Sequence, residues 1–244
     1  LSPYNRLLRT LQSPRMFQKR HRGNLEVAPE TRSSREPSVH TLPSRACGAL
    51  FIGIDSYKHW PSLSCAVRDA TSMAHQFMAL GYRTTLLIDE DATCTAIQKA
   101  LEECASTYDV FVVGMYGHGM APPSIGGMFV PVNATTEKTS YDKIHANQLK
   151  AISERTRATS AVFILDFCYS GAFLVDERRM RGSSWEDMLE KERSRIVITS
   201  GLSAQRVDDS DGSGNSPFTS AMLTTIEETP NAGSVLQLYL TLPS

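Results

Sequence analysis

Apolar residues in this chain arrive as short runs separated by stretches of helical periodicity. The segment ALFIGIDSY (49–57) is an apolar run closing in turn residues, which predicts a strand. Ala66, Ala70, Met73, Phe77 and Leu80 then share one helical face, and Gly81 marks the stop. TTLLID (84–89) predicts a second strand. Ile97, Ala100, Leu101 and Cys104 follow at helical spacing, behind Asp91 or Thr93 as N-cap. VFVVGMY (110–116) predicts a buried strand, MFVPVNA (128–134) a short edge strand, and residues 145–155 a helix. SAVFILDFC (160–168) and RIVITSG (195–201) predict two more buried strands. SPFTSAMLTTIEE (216–228) reads as a helix with Ser216 as N-cap and Pro217 at its first position. Strands alternating with helices of this length imply an α/β fold, with a mainly parallel central sheet and helices on both faces. In such sheets ligands bind beyond the carboxyl ends of the strands.

Composition narrows the function. With 244 residues, 41% of them hydrophobic and 21% charged, the chain can build one sizeable core. Its net charge of −1 disfavours a dedicated nucleic-acid binder. The charge is uneven: residues 1–45 hold nine Lys/Arg against three Asp/Glu, and residues 46–244 sixteen against twenty-three. Residues 24–45 mix Ser, Pro, Arg and Glu without apolar periodicity, so 1–45 reads as a basic flexible arm and the folded domain is expected from residue 46. The longest uncharged stretch, 110–136, is broken by Gly114, Gly117, Gly119 and Pro122-Pro123, so no membrane span is expected. Five cysteines with no C-x-x-C pair argue against a disulfide framework or a four-cysteine zinc site, and Cys47, Cys65, Cys94 and Cys104 read as core thiols. A cytoplasmic location is expected. The Arg-rich, acid-poor residues 1–22 also fit an organellar transit segment.

Two tripeptides carry the chemistry. Gly117-His118-Gly119 and Asp166-Phe167-Cys168 each stand where an apolar strand ends, so both are expected at one edge of the sheet. A thiol becomes a strong nucleophile when it ionises, and a neighbouring imidazole both promotes that and later protonates a leaving amine. Cys168 and His118 supply the pair, among small residues that let a peptide approach. The backbone N–H groups of Gly119 and Cys168 offer an oxyanion hole. No metal set or cofactor motif stands out, and Asp208, Asp209 and Asp211 lack the spacing of a calcium loop.

YGHG (116–119) and DFCYSG (166–171), with AVRDA (66–70) and GNSPFTSAML (214–223), resemble the caspase-like cysteine proteases, on their metacaspase and paracaspase side. A His about 50 residues before the Cys is a known caspase arrangement. The resemblance covers about residues 46–228. It implies a caspase-type fold and peptide-bond hydrolysis through a thioester, with Cys168 as nucleophile, His118 as general acid/base, and Gly119 and Cys168 as oxyanion donors. It also implies that Asp166 and Asp69 line the first specificity pocket, where a carboxylate selects Arg or Lys at P1, the residue before the cleaved bond. Tyr116 stands where metacaspases commonly have Ser and Ala66 where they often have Cys, so Tyr116 joins the substrate-binding residues and a narrower or differently hydrogen-bonded pocket is expected. Asn133 and Val175 fall near where calcium-binding carboxylates would be, so no cofactor is expected and calcium activation is left open as the lesser alternative. The resemblance further implies a large-subunit-like part (46–171), a linker (172–194) and a small-subunit-like part (195–244), with self-cleavage in the linker after Arg178, Arg179 or Arg181. Protein or peptide substrates are the expected partners, with regulatory binding or dimerisation through VLQLYLTL (235–242) left open. A non-catalytic scaffold in cell-death or defence signalling, and a Cys/His peptidase of the legumain or separase lineages, are the competing readings.

Overall fold

The structure, a computed structural model, describes residues 46–138, 141–170, 194–200 and 214–228. They belong to a compact unit spanning Pro43–Ser244. Five parallel strands form its centre: β1 (Cys47–Gly53), β2 (Arg83–Ile88), β3 (Val110–Gly117), β7 (Ser160–Phe167) and β8 (Ser194–Thr199), in the order β2-β1-β3-β7-β8. Helix α1 (Ala66–Ala79) packs on β1–β3 and against α4 (Pro217–Glu228). Helices α2 (Cys94–Thr107) and α3 (Ala146–Arg155) also pack together, and α2 contributes Ile97, Leu101 and Cys104 to a core shared with Leu50, Phe111, Val113 and Phe163. β1, β3 and β7 are buried almost throughout, because neighbours cover them on both edges and helices on their faces.

Local signals set the helix boundaries. Thr93 caps α2, its hydroxyl accepting the Ala96 N–H at 3.3 Å, while Asp89–Asp91 form a separate 3-10 turn. Ser216 caps α4, accepting the Thr219 N–H at 3.0 Å, with Pro217 at the first helical position as the sequence predicts. Beyond Leu80, Gly81 takes a positive φ of 87°, ending α1.

Three expectations need correction. MFVPVNA is a strand only over β5 (Met128–Phe129), which is the middle strand, not an edge, of a small antiparallel sheet between β4 (Gly119–Met120) and β6 (Ile144–His145). Pro131 has no N–H to continue a ladder, and its carbonyl instead closes a turn with the Ala134 N–H. β8 is not a buried strand: it is an edge of the described sheet, Ile198 alone is buried, and Val197 is 36% exposed. Cys47 is half-buried rather than a core thiol; Cys65, Cys94 and Cys104 are buried, and none of the five cysteines forms a disulfide. Among the described residues no helix is long and apolar enough to cross a membrane. Arg178, Arg179, Arg181, Val175, the 208–211 acidic run and residues 235–242 lie outside the described residues.

Candidate active site

Parallel register places the two tripeptides side by side. Tyr116 pairs with Asp166 and Gly117 with Phe167, so His118 and Cys168 each stand one residue beyond the last paired positions of β3 and β7. Both line one cleft of about 450 Å³ with Tyr116, Asp166, Asp69, Cys65 and Ser216. β3 stops at Gly117, whose φ of 155° turns the chain off the parallel sheet and into β4. A Cβ there would strike the Tyr57 hydroxyl, and one on Gly119 would strike the Cys168 carbonyl oxygen and the Phe167 ring. Only glycine allows the His118 segment to lie this close to the Cys168 turn.

His118 is held from several sides. Its N–H donates to the Tyr57 hydroxyl at 2.8 Å, and its carbonyl accepts the Val130 N–H at 3.0 Å. The ring lies against Tyr57 and Trp60, with centroids 4.8 and 5.6 Å away. Nε2 is 2.8 Å from the Pro61 carbonyl oxygen. A carbonyl only accepts, so Nε2 carries the proton and Nδ1 is the lone-pair nitrogen of the neutral ring, which is the base a thiol needs. The Val130–His118 bond also makes Gly119 and Phe129 a pair that does not bond across, so the Gly119 N–H is directed away from β5.

The two acidic residues converge at the other side of the cleft. Asp69 sits in the first turn of α1 and is 1% exposed; Asp166 is 6% exposed. Both touch Ser216: its N–H lies 3.0 and 3.3 Å from the Asp69 oxygens, and its hydroxyl donates to Asp166 Oδ2, which also receives the Thr219 hydroxyl at 3.3 Å. Burial, reinforced by the Asp166 charge, pushes the Asp69 carboxyl up to about 7, against the opposing effect of the Ser216 N–H. The position of α1 is itself fixed by Asp55, whose carboxylate accepts the Ala66 and Val67 N–H groups at 2.9 and 3.2 Å. Asp89 Oδ1 in turn accepts the N–H groups of Asp55 and Ser56, each at 2.8 Å.

Tyr116 lines the same cleft, but its hydroxyl is buried and has no hydrogen-bond partner among the described residues. Burial, with the Asp166 and Asp69 charges behind it, pushes the phenol well above its ordinary value. Tyr116→Phe removes only this unpaired oxygen, so the variant is expected to match the parent in thermal stability or to exceed it by up to about 1 kcal/mol. A loss of similar size in a calorimetric melt would mean that the hydroxyl is satisfied in solution.

Tyr57, Pro61, Asp55 and Ser216 are the site residues that sequence reasoning missed as such. Ser216 alone carried a signal, as the cap before Pro217, and it stood within the GNSPFTSAML segment. Asn133, at the position where a calcium-binding carboxylate was considered, instead accepts the Cys94 N–H at 3.1 Å and so helps to start α2. No cluster of three His, Cys, Asp or Glu side chains able to hold a metal occurs among the described residues.

The family model described as the caspase domain matches residues 47–242. Among solved structures, the chain is similar to the crystal structure of protein GSU0716 from Geobacter sulfurreducens. The two share 18% identity over 80% of this chain and 87% of that one, with a TM-score of 0.58, which is a likeness of fold. No curated protein matches the chain.

Proposed function

Because this chain belongs to the caspase domain family, we propose that it is a cysteine endopeptidase that cleaves after Arg or Lys through a Cys168/His118 dyad. In this mechanism His118 Nδ1 takes the Cys168 proton while Nε2–H stays on the Pro61 carbonyl, which fixes the ring and stabilises the imidazolium. The thiolate attacks the scissile carbonyl, and the Gly119 and Cys168 N–H groups receive the developing oxyanion. The intermediate collapses to a thioester as His118 protonates the leaving amine. Water, deprotonated by the same imidazole, then frees the acid. The carrying observation is that thiol, imidazole and two buried carboxylates line one cleft. Regulated proteolysis in cell death or defence is the proposed setting. Self-cleavage after Arg178, Arg179 or Arg181 follows from the same specificity, since those side chains are the ones the pocket would select. The deciding experiment is kcat/KM across a peptide library varied at P1, with and without calcium. Turnover confined to Asp or uncharged residues at P1 would overturn the specificity, and absence of turnover under both conditions would favour a scaffold.

The pocket should titrate. With Asp69 pushed up to about 7, it is protonated in acid and gains its second negative charge above neutrality. KM for an Arg substrate is therefore expected to fall about tenfold from about pH 6 to about pH 8. Asp69→Asn should flatten that dependence while leaving the pH profile of kcat in place. For stability the sign is opposite: the folded chain holds this proton more tightly than the unfolded one, so the Asp69 contribution declines as pH rises between about 4 and 7.

A further inference from the structure

Ser216 stands where the two acidic side chains meet the last described helix. Its hydroxyl oxygen accepts the Thr219 N–H at 3.0 Å as the α4 cap, and the same hydroxyl donates its proton to Asp166 Oδ2. Its N–H lies 3.0 and 3.3 Å from the two Asp69 oxygens. One residue thus gives a donor to each carboxylate, and it does so at a helix N-terminus, where the backbone dipole favours negative charge. Ser216 is only 3% exposed although it lines the cleft, so it has little freedom to turn elsewhere. Asp69 arrives on α1 and Asp166 on β7, and like charges held together in a buried place repel. A shared donor offsets that repulsion and sets the direction in which the remaining acceptor lone pairs point.

We propose that Ser216 is a positioning residue that makes Asp69 and Asp166 act as one acceptor for the guanidinium or ammonium group of a substrate. This rests on reading the cleft as a pocket for basic side chains. The substrate group does not need the Ser216 hydroxyl itself; it needs the carboxylates held in the arrangement that the hydroxyl and the N–H impose. Removing the hydroxyl takes this donor from Asp166 Oδ2 and leaves the longer Thr219 contact at 3.3 Å in place, and the cost appears in recognition of the basic group rather than in the reactivity of the thiol.

Agmatine, which is an arginine side chain without its peptide, serves as the probe in competition against an Arg substrate. Ser216→Ala is expected to weaken its inhibition about tenfold, the scale of a lost hydrogen bond to a charged group. Ser216→Thr, which keeps both donor and cap, should restore it. Ser216→Gly separates recognition from the helix start, because glycine costs the cap only a few tenths of a kcal/mol; it should melt above Ser216→Ala yet bind agmatine as poorly. Alkylation of Cys168 by iodoacetamide, followed at that residue by mass spectrometry, should proceed at the parent rate in all three. Unchanged agmatine inhibition in Ser216→Gly overturns the positioning role while leaving the basic pocket standing. A parent protein that cleaves peptides but ignores agmatine and Arg substrates overturns the pocket and this role together.

Discussion

Cys168→Ala is expected to lose peptide turnover by about 10⁴-fold or more, because the cleft's other thiol, Cys65, is buried at the start of α1 and hydrogen-bonds to Asp69 rather than standing at the strand ends with His118. The fold should survive. Cys168 is half-buried in the turn after β7, and its side chain belongs to the cleft rather than to the core. The variant should also stay intact across residues 172–194, whereas the parent is expected to be cut there. Cys94→Ser and Cys104→Ser make the contrast. Burial pushes both thiols up, Cys104 to about 12, and both lie on α2, away from the cleft, so activity should persist. Rates with a P1-Arg reporter, alongside mass spectra of the incubated chains, measure both effects. Turnover retained in Cys168→Ala would remove the assignment.

The second large effect concerns charge at P1. Two buried carboxylates facing a substrate side chain repel an acidic one by several kcal/mol, so the parent is expected to prefer Arg over Asp at P1 by about 10³-fold or more. Asp166→Asn keeps the size of the side chain and an acceptor for Ser216 and Thr219, but leaves Asp69 as the one carboxylate of the pair. Arg kcat/KM should fall about 100-fold, in line with losing one charged partner of a desolvated pair, while Asp substrates gain. A library profile that keeps its Arg preference in both Asp166→Asn and Asp69→Asn would show that the cation is recognised elsewhere.

Much of this geometry was legible in the letters, and the exceptions have physical causes. The alternation of apolar runs with helical stripes was enough to place Gly117-His118-Gly119 and Asp166-Phe167-Cys168 at one sheet edge, because parallel strands end together. Ser216 and Pro217 announced the start of α4 through local chemistry alone. The two-residue strands β4 and β6 were invisible, since two residues carry no period to read. β5 was overextended because hydrophobicity continues through Val130 and Val132, while Pro131 interrupts the hydrogen bonds that define a strand. The hold on His118 was out of reach for another reason. Tyr57 lies 61 residues away, Pro61 57 and, across the pocket, Ser216 147 residues from Asp69, and nothing in their local sequence marks them as partners.

The bend at Gly117 divides the proposed catalytic pair between two sheets. Cys168, the proposed nucleophile, follows a strand of the parallel sheet, whereas His118, the proposed base, leads into the small antiparallel one and is tied down by Val130, Tyr57 and Pro61. Substitutions at Trp60 or Pro61, which lie outside the core cluster, can therefore re-aim the imidazole without repacking the core beneath Cys168, whereas Phe129 of the small sheet packs on Phe167 and links the two. The proposed base is thus adjustable from the side of Trp60 and Pro61 alone, whereas a change at Phe129 reaches the surroundings of both partners.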